Sequence, residues 1–173
     1  LLKINWKKKI IYVINNGGIK MFVSIKKITT MGSRKLRDYF TFDKQIESLQ
    51  EKLEKEEIGK DVNSFIKSKN KVSNAVENQV IRKIMLENKI NELILWKGII
   101  EDVINGYKKF QEHKYKYIIE KFMYCKTDDE VSKSLYMSTA TQYKYKVEIA
   151  YQISIIALSK NLITIDEIVD ERL

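Results

Sequence analysis

The sequence predicts an all-α protein, and three observations carry this prediction. The 173 residues include no proline and only six glycines, so long helices meet few residues that would break them. Charged side chains make up 32% of the chain, and many of them are Lys and Glu, which favour helices. Apolar side chains recur at steps of three and four residues over several stretches. We therefore expect an N-terminal amphipathic helix, a long central helix and a C-terminal helix-turn-helix.

The composition excludes several classes of function. One Cys and one His cannot supply a disulfide framework or a zinc site with several Cys and His ligands. No apolar run approaches the ~18 residues that a membrane span needs, and no glycine-rich loop could hold a nucleotide phosphate. We expect a cytoplasmic protein that is not an enzyme, binds no cofactor or metal and does not enter a membrane.

The first 20 residues carry five lysines and no acidic side chain. Gly17 and Gly18 stand shortly before Met21, and two glycine codons can spell a ribosome-binding sequence at a suitable distance from a start codon. One hypothesis is therefore that residues 1–20 are a translated, non-native leader and that Met21 is the true start. Without them the formal net charge of +9 falls by 5 to +4, so net charge is weak support for nucleic-acid binding.

Residues 21–73 are expected to form an N-terminal helical arm and a linker. Apolar side chains amid charges predict a thin amphipathic helix from Thr41 to Ile58. These side chains are Ile46, Leu49 and Leu53. The polar, aperiodic stretch 60–71 that follows predicts the linker.

Residues 74–110 predict one long central helix. Its apolar seam alternates steps of four and three through Leu86, Ile90, Leu93, Trp96, Ile100, Val103 and Tyr107. A second apolar set widens this face and consists of Ile81, Ile84, Ile94 and Ile99. Two interpretations stay open, because such a face can pack on the chain's own C-terminal helices or can form the seam of a homodimer.

Residues 111–163 have the pattern of a helix-turn-helix. The segment from Tyr115 to Tyr124 predicts a helix before the motif. Thr127 and Glu130 have the spacing of a capping box, which predicts a short helix from Asp128 to about Leu135.

The turn and the third helix follow directly. Tyr136 and Met137 form the predicted turn, and Ser138 is the expected N-cap of the next helix. The inward side of this helix would carry Tyr145, Ile149, Ile153 and Ile156. Residues 164–173 are expected to form a short C-terminal helix, since Thr164 and Glu167 repeat the capping-box spacing.

The third helix has the side chains that duplex DNA requires. A reading helix enters the major groove with its first turns, while cations and amides around it hold phosphates. We expect Thr139, Ala140 and Tyr143 to meet base edges, with Val147 also outward, and Lys144 and Lys146 to bind phosphate. The full predicted set is Lys126, Thr127, Ser138, Thr139, Ala140, Tyr143, Lys144 and Lys146, in which Lys126 and the Thr127 amide are further phosphate contacts. The same pattern also fits a helical bundle that never binds DNA.

The segment KTDDEVSKSLYMSTATQYKYKVEIA, from Lys126 to Ala150, resembles region 4 of sigma factors and, more closely, the ArpU family of phage transcriptional regulators. That family has a Met-Ser turn before an aromatic and basic recognition helix, and the likeness covers roughly residues 64–163. Tyr136 and Gln142 depart from the family pattern, which has a small turn residue and an apolar side chain there. The resemblance implies a regulator of phage or prophage late genes that binds double-stranded DNA and acts with host RNA polymerase in the nucleoid of a bacterial cell.

Two other functions stay open from sequence alone. A phage small terminase subunit is also helical, but its DNA-binding unit is commonly N-terminal, whereas the order here is reversed. A helical interaction protein without DNA binding would use the seam from Leu86 to Tyr107. Because a lone helix-turn-helix reads few base pairs, we expect a homodimer or a polymerase partner.

Overall fold

The computed structural model describes residues 2–5, 10–14, 20–58, 72–164 and 167. The chain divides into two compact units, one made of Leu1–Phe40 with Gly98–Leu173 and the other of Thr41–Lys97. From Ile25 onward the regular elements of the described residues are helices. The all-α prediction is confirmed for this part of the chain.

Three short strands precede the first helix, and the sequence analysis did not predict them. They are β1 (Leu2–Asn5), β2 (Ile10–Ile14) and β3 (Lys20–Ser24), and they form an antiparallel sheet in the order β1-β2-β3. Tyr12 of β2 lies opposite Phe22 of β3. Such runs of β-branched and aromatic residues favour strands, but they are too short for their periodicity to identify them.

The first helix, α1 (Ile25–Asp38), packs along the last one, α6 (Thr139–Ser159). Its buried face has the three-and-four spacing of a helix side and consists of Ile25, Ile28, Gly32 and Leu36. The helix falls within the predicted N-terminal arm, yet it belongs to the same unit as the C-terminal helices.

Small side chains let α1 and α6 approach closely. A Cβ added to Gly32 would lie 2.1 Å from the carbonyl oxygen of Ala150. One helical turn away, the buried Ser154 hydroxyl donates to the carbonyl oxygen of Ile28 at 2.8 Å. Since residue numbers fall along α6 as they rise along α1, the two helices run antiparallel.

The second unit contains α2 (Phe42–Ile58), which follows a 3-10 turn at Tyr39–Thr41, and the first part of α3 (Val72–Phe110). Its buried apolar side chains are Phe42, Ile90, Leu93 and Trp96. Lys97 and Asp43 form an ion pair at 2.6 Å in this unit. The predicted linker at 60–71 lies outside the described residues.

The long helix α3 spans the predicted central helix at 74–110, and the division between the units falls within it. The predicted seam is buried from Ile90 to Tyr107, and Leu86 is half-buried. In the second apolar set Ile99 is buried, whereas the other members are exposed, namely Ile81, Ile84 and Ile94. The chain therefore buries most of the seam itself, and the second set apart from Ile99 is exposed.

The C-terminal elements of the first unit are α4 (Glu112–Ile118), a π turn (Ile119–Met123), α5 (Asp128–Leu135) and α6. Their buried apolar side chains include Tyr117, Ile118, Val131, Ile149 and Ile153. Tyr117 packs edge-to-face against Phe122 at 6.1 Å and Tyr145 at 6.0 Å between ring centroids. These aromatic contacts join α4, the π turn and α6.

A half-buried lysine also joins these elements. Lys114 of α4 pairs with Glu148 of α6, and its ammonium lies 5.5 Å from the ring centroids of both Tyr107 and Tyr145. Cation–π and ionic contacts thus act on one ammonium group. Cys125 is exposed and has a φ of 51°, at the point where the chain reverses between the π turn and α5.

At the C-terminus, the Glu167 carboxylate accepts from the Thr164 amide at 2.7 Å, as in a capping box. The rest of the helix predicted at 164–173 lies outside the described residues. Among the helices that are described, none has the length and apolarity needed to cross a bilayer. The described part of the chain likewise holds no group of three His, Cys, Asp or Glu side chains suited to a metal ion.

Candidate nucleic-acid interface

Helix α5 begins with a complete capping box. The Thr127 hydroxyl accepts from the Glu130 amide at 3.3 Å, and the Glu130 carboxylate accepts from the Thr127 amide at 2.7 Å. The hydrogen bond from the Thr127 backbone, followed by that from its hydroxyl, lowers the pKa of Glu130. Asp128, Asp129 and Glu130 are exposed acids in the first turn, where they complement the helix dipole.

Two lysines beside this helix start are paired with acids. Lys126 forms an ion pair with Glu120. Lys121 pairs with Asp128 at 2.5 Å and also donates to the carbonyl oxygen of Lys126 at 3.0 Å. The predicted phosphate contacts Lys126 and Thr127 therefore already bond to other groups of the chain.

The turn between α5 and α6 depends on Tyr136. Its φ of 49° and ψ of 44° are left-handed, and its amide donates to the carbonyl oxygen of Ser132. The Met137 amide also donates to that oxygen, at 3.2 Å. Glycine usually occupies such a helix end. Tyr136 is 96% exposed, so its ring makes little contact with the rest of the described chain.

Gln142 ties the start of α6 to α5. It is only 3% exposed, and its Nε2 donates to the Asp128 carbonyl oxygen at 2.9 Å and to the Ser132 hydroxyl at 2.6 Å. A polar side chain thus fills the position where the ArpU pattern has an apolar one. Its bonds reach both the first and the second turn of α5, which fixes the orientation of the two helices.

The first turns of α6 carry the other predicted DNA contacts. Ser138 is the N-cap, and its hydroxyl accepts from the Thr141 amide at 3.2 Å. Thr139 and Ala140 are exposed, and Tyr143 is 68% exposed. The same turns also carry two cations: Lys144 is exposed and Lys146 is half-buried.

Helix α1 limits the outward face of α6. Tyr143, Val147, Ala150 and Ser154 are spaced by four, three and four residues and so form one stripe. The last two are buried against α1, and Val147, predicted to be outward, is half-buried. Because α1 covers this side of α6 from about Val147 onward, only the first two turns of α6, residues 139–146, remain accessible on this side.

A basic groove of about 440 Å³ lies where α1 meets these turns. Its cations are Lys26, Arg34 and Arg37 from α1 and Lys146 from α6, and Tyr143 also lines it. Within the described ranges, no carboxylate lies within ion-pair distance of these four cations or of Lys144. The groove therefore offers an anion both hydrogen-bond donors and positive charge.

The sequence analysis missed the contribution of α1 to this groove. Five of its residues are basic and one is acidic. Lys26, Thr30, Arg34 and Arg37 recur at steps of four, four and three, which marks one polar helix face opposite the buried apolar residues. That periodicity could have identified the basic face, although not its position beside Tyr143.

Comparisons of this chain with known protein families, with curated proteins and with solved structures found no match. The resemblance to the ArpU family accordingly rests on the sequence itself, over roughly residues 64–163 and most closely from Lys126 to Ala150. Function must therefore be argued from the chemistry of the site itself.

Proposed function

We propose that this protein is a sequence-specific DNA-binding regulator of transcription, and that the first turns of α6 read duplex DNA. One observation carries the proposal. The exposed part of α6 carries two cations and lies beside three cations of α1, and these five have no carboxylate partner among the described residues, while the acids of this region cluster at the start of α5. Phosphate contacts position a protein on DNA, and side chains in the groove specify the sequence.

The side chains of the exposed turns suit the major groove. Thr139 can exchange hydrogen bonds with base edges, and the Ala140 methyl group can contact the methyl group of thymine. Tyr143 can do both through its hydroxyl and its ring. Gln142 and the capped ends of α5 and α6 hold these side chains in a fixed orientation before DNA binds, which lowers the entropy cost of recognition.

We further propose, from the ArpU resemblance, that the genes controlled are late genes of a phage or prophage. In this view the protein acts on DNA in the cytoplasm of a bacterial host and recruits the host RNA polymerase. The analogy to sigma region 4 supports the polymerase contact, because that region binds promoter DNA as part of the polymerase holoenzyme.

A homodimer is the second element of the proposal, and a different surface supports it. Val80, Ile81, Ile84 and Met85 of α3 are exposed in consecutive turns, and an apolar patch of this kind commonly marks a protein interface. A protein that binds partners through this patch without binding DNA is the competing function. Light scattering on the full chain and on Ile84→Glu would show whether the patch joins two copies.

Selection from a library of random duplexes tests DNA binding directly. We expect the full-length protein to enrich one sequence, to bind it more tightly than a scrambled duplex, and to bind both more weakly as salt rises. The double variant Lys144→Glu with Lys146→Glu should lose binding, whereas Lys44→Glu with Lys52→Glu, the same charge change on exposed positions of α2, should retain it. Failure to enrich any sequence, or unchanged binding by the α6 variant, would refute the proposal.

A further inference from the structure

We infer that α1, which lies outside the predicted helix-turn-helix, clamps the phosphate backbone of the DNA that α6 reads. This inference rests on the proposed function and assigns its phosphate site to the groove between α1 and α6. The start of α5, where the sequence predicts the further phosphate contacts Lys126 and Thr127, would contribute little.

The charge of the two candidate surfaces differs in sign. The groove holds Lys26, Arg34, Arg37 and Lys146 without a carboxylate partner among the described residues. At the start of α5, by contrast, three exposed acids stand in the first turn, and the nearby lysines Lys121 and Lys126 are both paired. A phosphodiester would be attracted to the first surface and repelled from the second.

Two of the donors at the helix start of α5 are also already used. The Thr127 and Glu130 amides are both hydrogen-bonded within the capping box. A phosphate at the Thr127 amide would have to displace the Glu130 carboxylate, which bonds to both the amide and the hydroxyl of Thr127. The anion affinity of this helix N-terminus is therefore partly satisfied by the chain itself.

The position and length of the α1 face suit a DNA strand that borders the reading turns. Arg37 and Tyr143 line the same groove, so the end of α1 lies beside the residues proposed to read bases. From Lys26 to Arg37 the helix rises about 16 Å, which is enough to meet more than one phosphate on a strand. Arginine is suited to this contact because its guanidinium can donate two parallel hydrogen bonds to phosphate.

The packing of α1 on α6 would make this clamp rigid. Gly32 lies so close to the Ala150 carbonyl that no side chain fits between the helices, and Ser154 bonds to the Ile28 carbonyl beside it. The cations of α1 are thus held at a fixed distance from Tyr143 and Lys146. Cations that are already in place lose less entropy when phosphate binds.

Neutralising two arginines of α1 tests the inference on the full-length protein. Arg34→Gln with Arg37→Gln keeps helix-forming side chains at exposed positions, and Lys44→Gln with Lys52→Gln is the matched control on α2. Affinity is measured across salt concentrations for the enriched duplex and a scrambled one, and thermal unfolding confirms that each variant is folded. We expect the arginine variant to bind both duplexes more weakly, with a log K against log salt slope that is shallower by about 2 and with its sequence preference retained.

The possible results separate the two proposals. If the wild type binds the enriched duplex but the arginine variant matches the control in affinity and slope, the clamp is overturned and DNA reading by α6 stands. If the wild type binds no duplex, the proposed function fails, and the clamp fails with it. If the arginine variant changes which sequence is preferred and leaves the salt slope unchanged, these arginines contact bases, which also overturns the phosphate assignment.

Discussion

Tyr136 holds a left-handed backbone conformation that disfavours any side chain with a Cβ atom, while its ring projects into solvent. Replacing it with glycine removes the steric conflict and little packing. We expect Tyr136→Gly to raise the free energy of unfolding by about 1 kcal/mol, as measured by urea denaturation. Tyr136→Ala retains the Cβ atom and should bring no such gain, so equal stability of the two variants would contradict this explanation.

Gln142 is the residue on which the orientation of α6 against α5 depends most. Its amide nitrogen bonds to Asp128 and Ser132, and its side chain is buried. We expect Gln142→Ala to lower the free energy of unfolding by about 2 kcal/mol, since two buried hydrogen bonds and their packing are lost. Gln152→Ala, at an exposed position of the same helix, should change it by less than about 0.5 kcal/mol. Similar losses in both variants would show that Gln142 has no linking role.

The sequence could reveal the caps of α5 and α6 but not the role of Gln142. Thr127 and Ser138 bond to groups three residues away, so the pattern of neighbouring residues was sufficient to find them. The partners of Gln142 lie ten and fourteen residues away in another helix. In the sequence alone, Gln142 is only a polar residue at a helix position where an apolar side chain is expected.

The contact between α1 and α6 is the element pair that positions the candidate interface. An added methyl group at Gly32 would overlap the Ala150 carbonyl oxygen and the Ser154 hydroxyl, whereas at Gly106 in α3 such a group would meet no atom of the described residues within 4 Å beyond its own stretch of helix. We expect Gly32→Ala to destabilise the protein by about 3 kcal/mol or to displace α1. Gly106→Ala should stabilise it by up to about 1 kcal/mol, because alanine favours helices more than glycine does. Thermal unfolding of both variants measures this, and a stable Gly32→Ala protein would show that the helices are not held this closely.

At the scale of elements, the sequence could not show which distant helices pack against each other. The Ser154 hydroxyl and the Ile28 carbonyl are 126 residues apart in sequence, and neither local sequence pattern indicates which residue is the partner. The individual helices, in contrast, follow from local periodicity and caps, as the bounds of α3 and α5 illustrate. The three N-terminal strands were missed because each has only four or five residues, too few for an alternation to stand out.

At the scale of the whole molecule, buried tyrosines limit the stability of the folded protein at alkaline pH. Burial, with a smaller effect of the Asp128 charge, raises the pKa of Tyr117 to about 12, and burial also raises the pKa of Tyr107 and Tyr151. A tyrosine in the unfolded chain ionises near pH 10. The stability that the neutral Tyr117 contributes is thus fully present below pH 10 and is lost as the pH rises towards 12.

We expect the free energy of unfolding to decrease across this window, by at most about 1.4 kcal/mol per pH unit for each tyrosine. Tyr117→Phe keeps a ring against Phe122 and Tyr145 but removes the ionisable group. Its free energy of unfolding, measured by urea denaturation between pH 9 and pH 12, should fall less steeply than that of the wild type. An identical pH dependence would show that Tyr117 ionisation is not linked to unfolding.

The distribution of charge over the molecule matters more for function than the net charge. The total of +9 includes the first 20 residues and was a weak guide. The informative feature is that acids gather at the start of α5, while cations with no carboxylate partner among the described residues gather between α1 and α6. This separation depends on the tertiary contact of α1 with α6, so composition alone could not reveal it.

The central claim is that α6 reads bases, and the base preference of a single-residue variant tests it most directly. Duplexes are selected from one random library with the wild type, with Tyr143→Ala and with Lys44→Gln/Lys52→Gln as the control. We predict that Tyr143→Ala relaxes or changes the preferred base at one or two adjacent positions and leaves the rest of the selected sequence intact. The control should select the wild-type sequence. A Tyr143→Ala protein that selects the same sequence with the same stringency at every position would contradict the assignment of this face of α6 to the major groove.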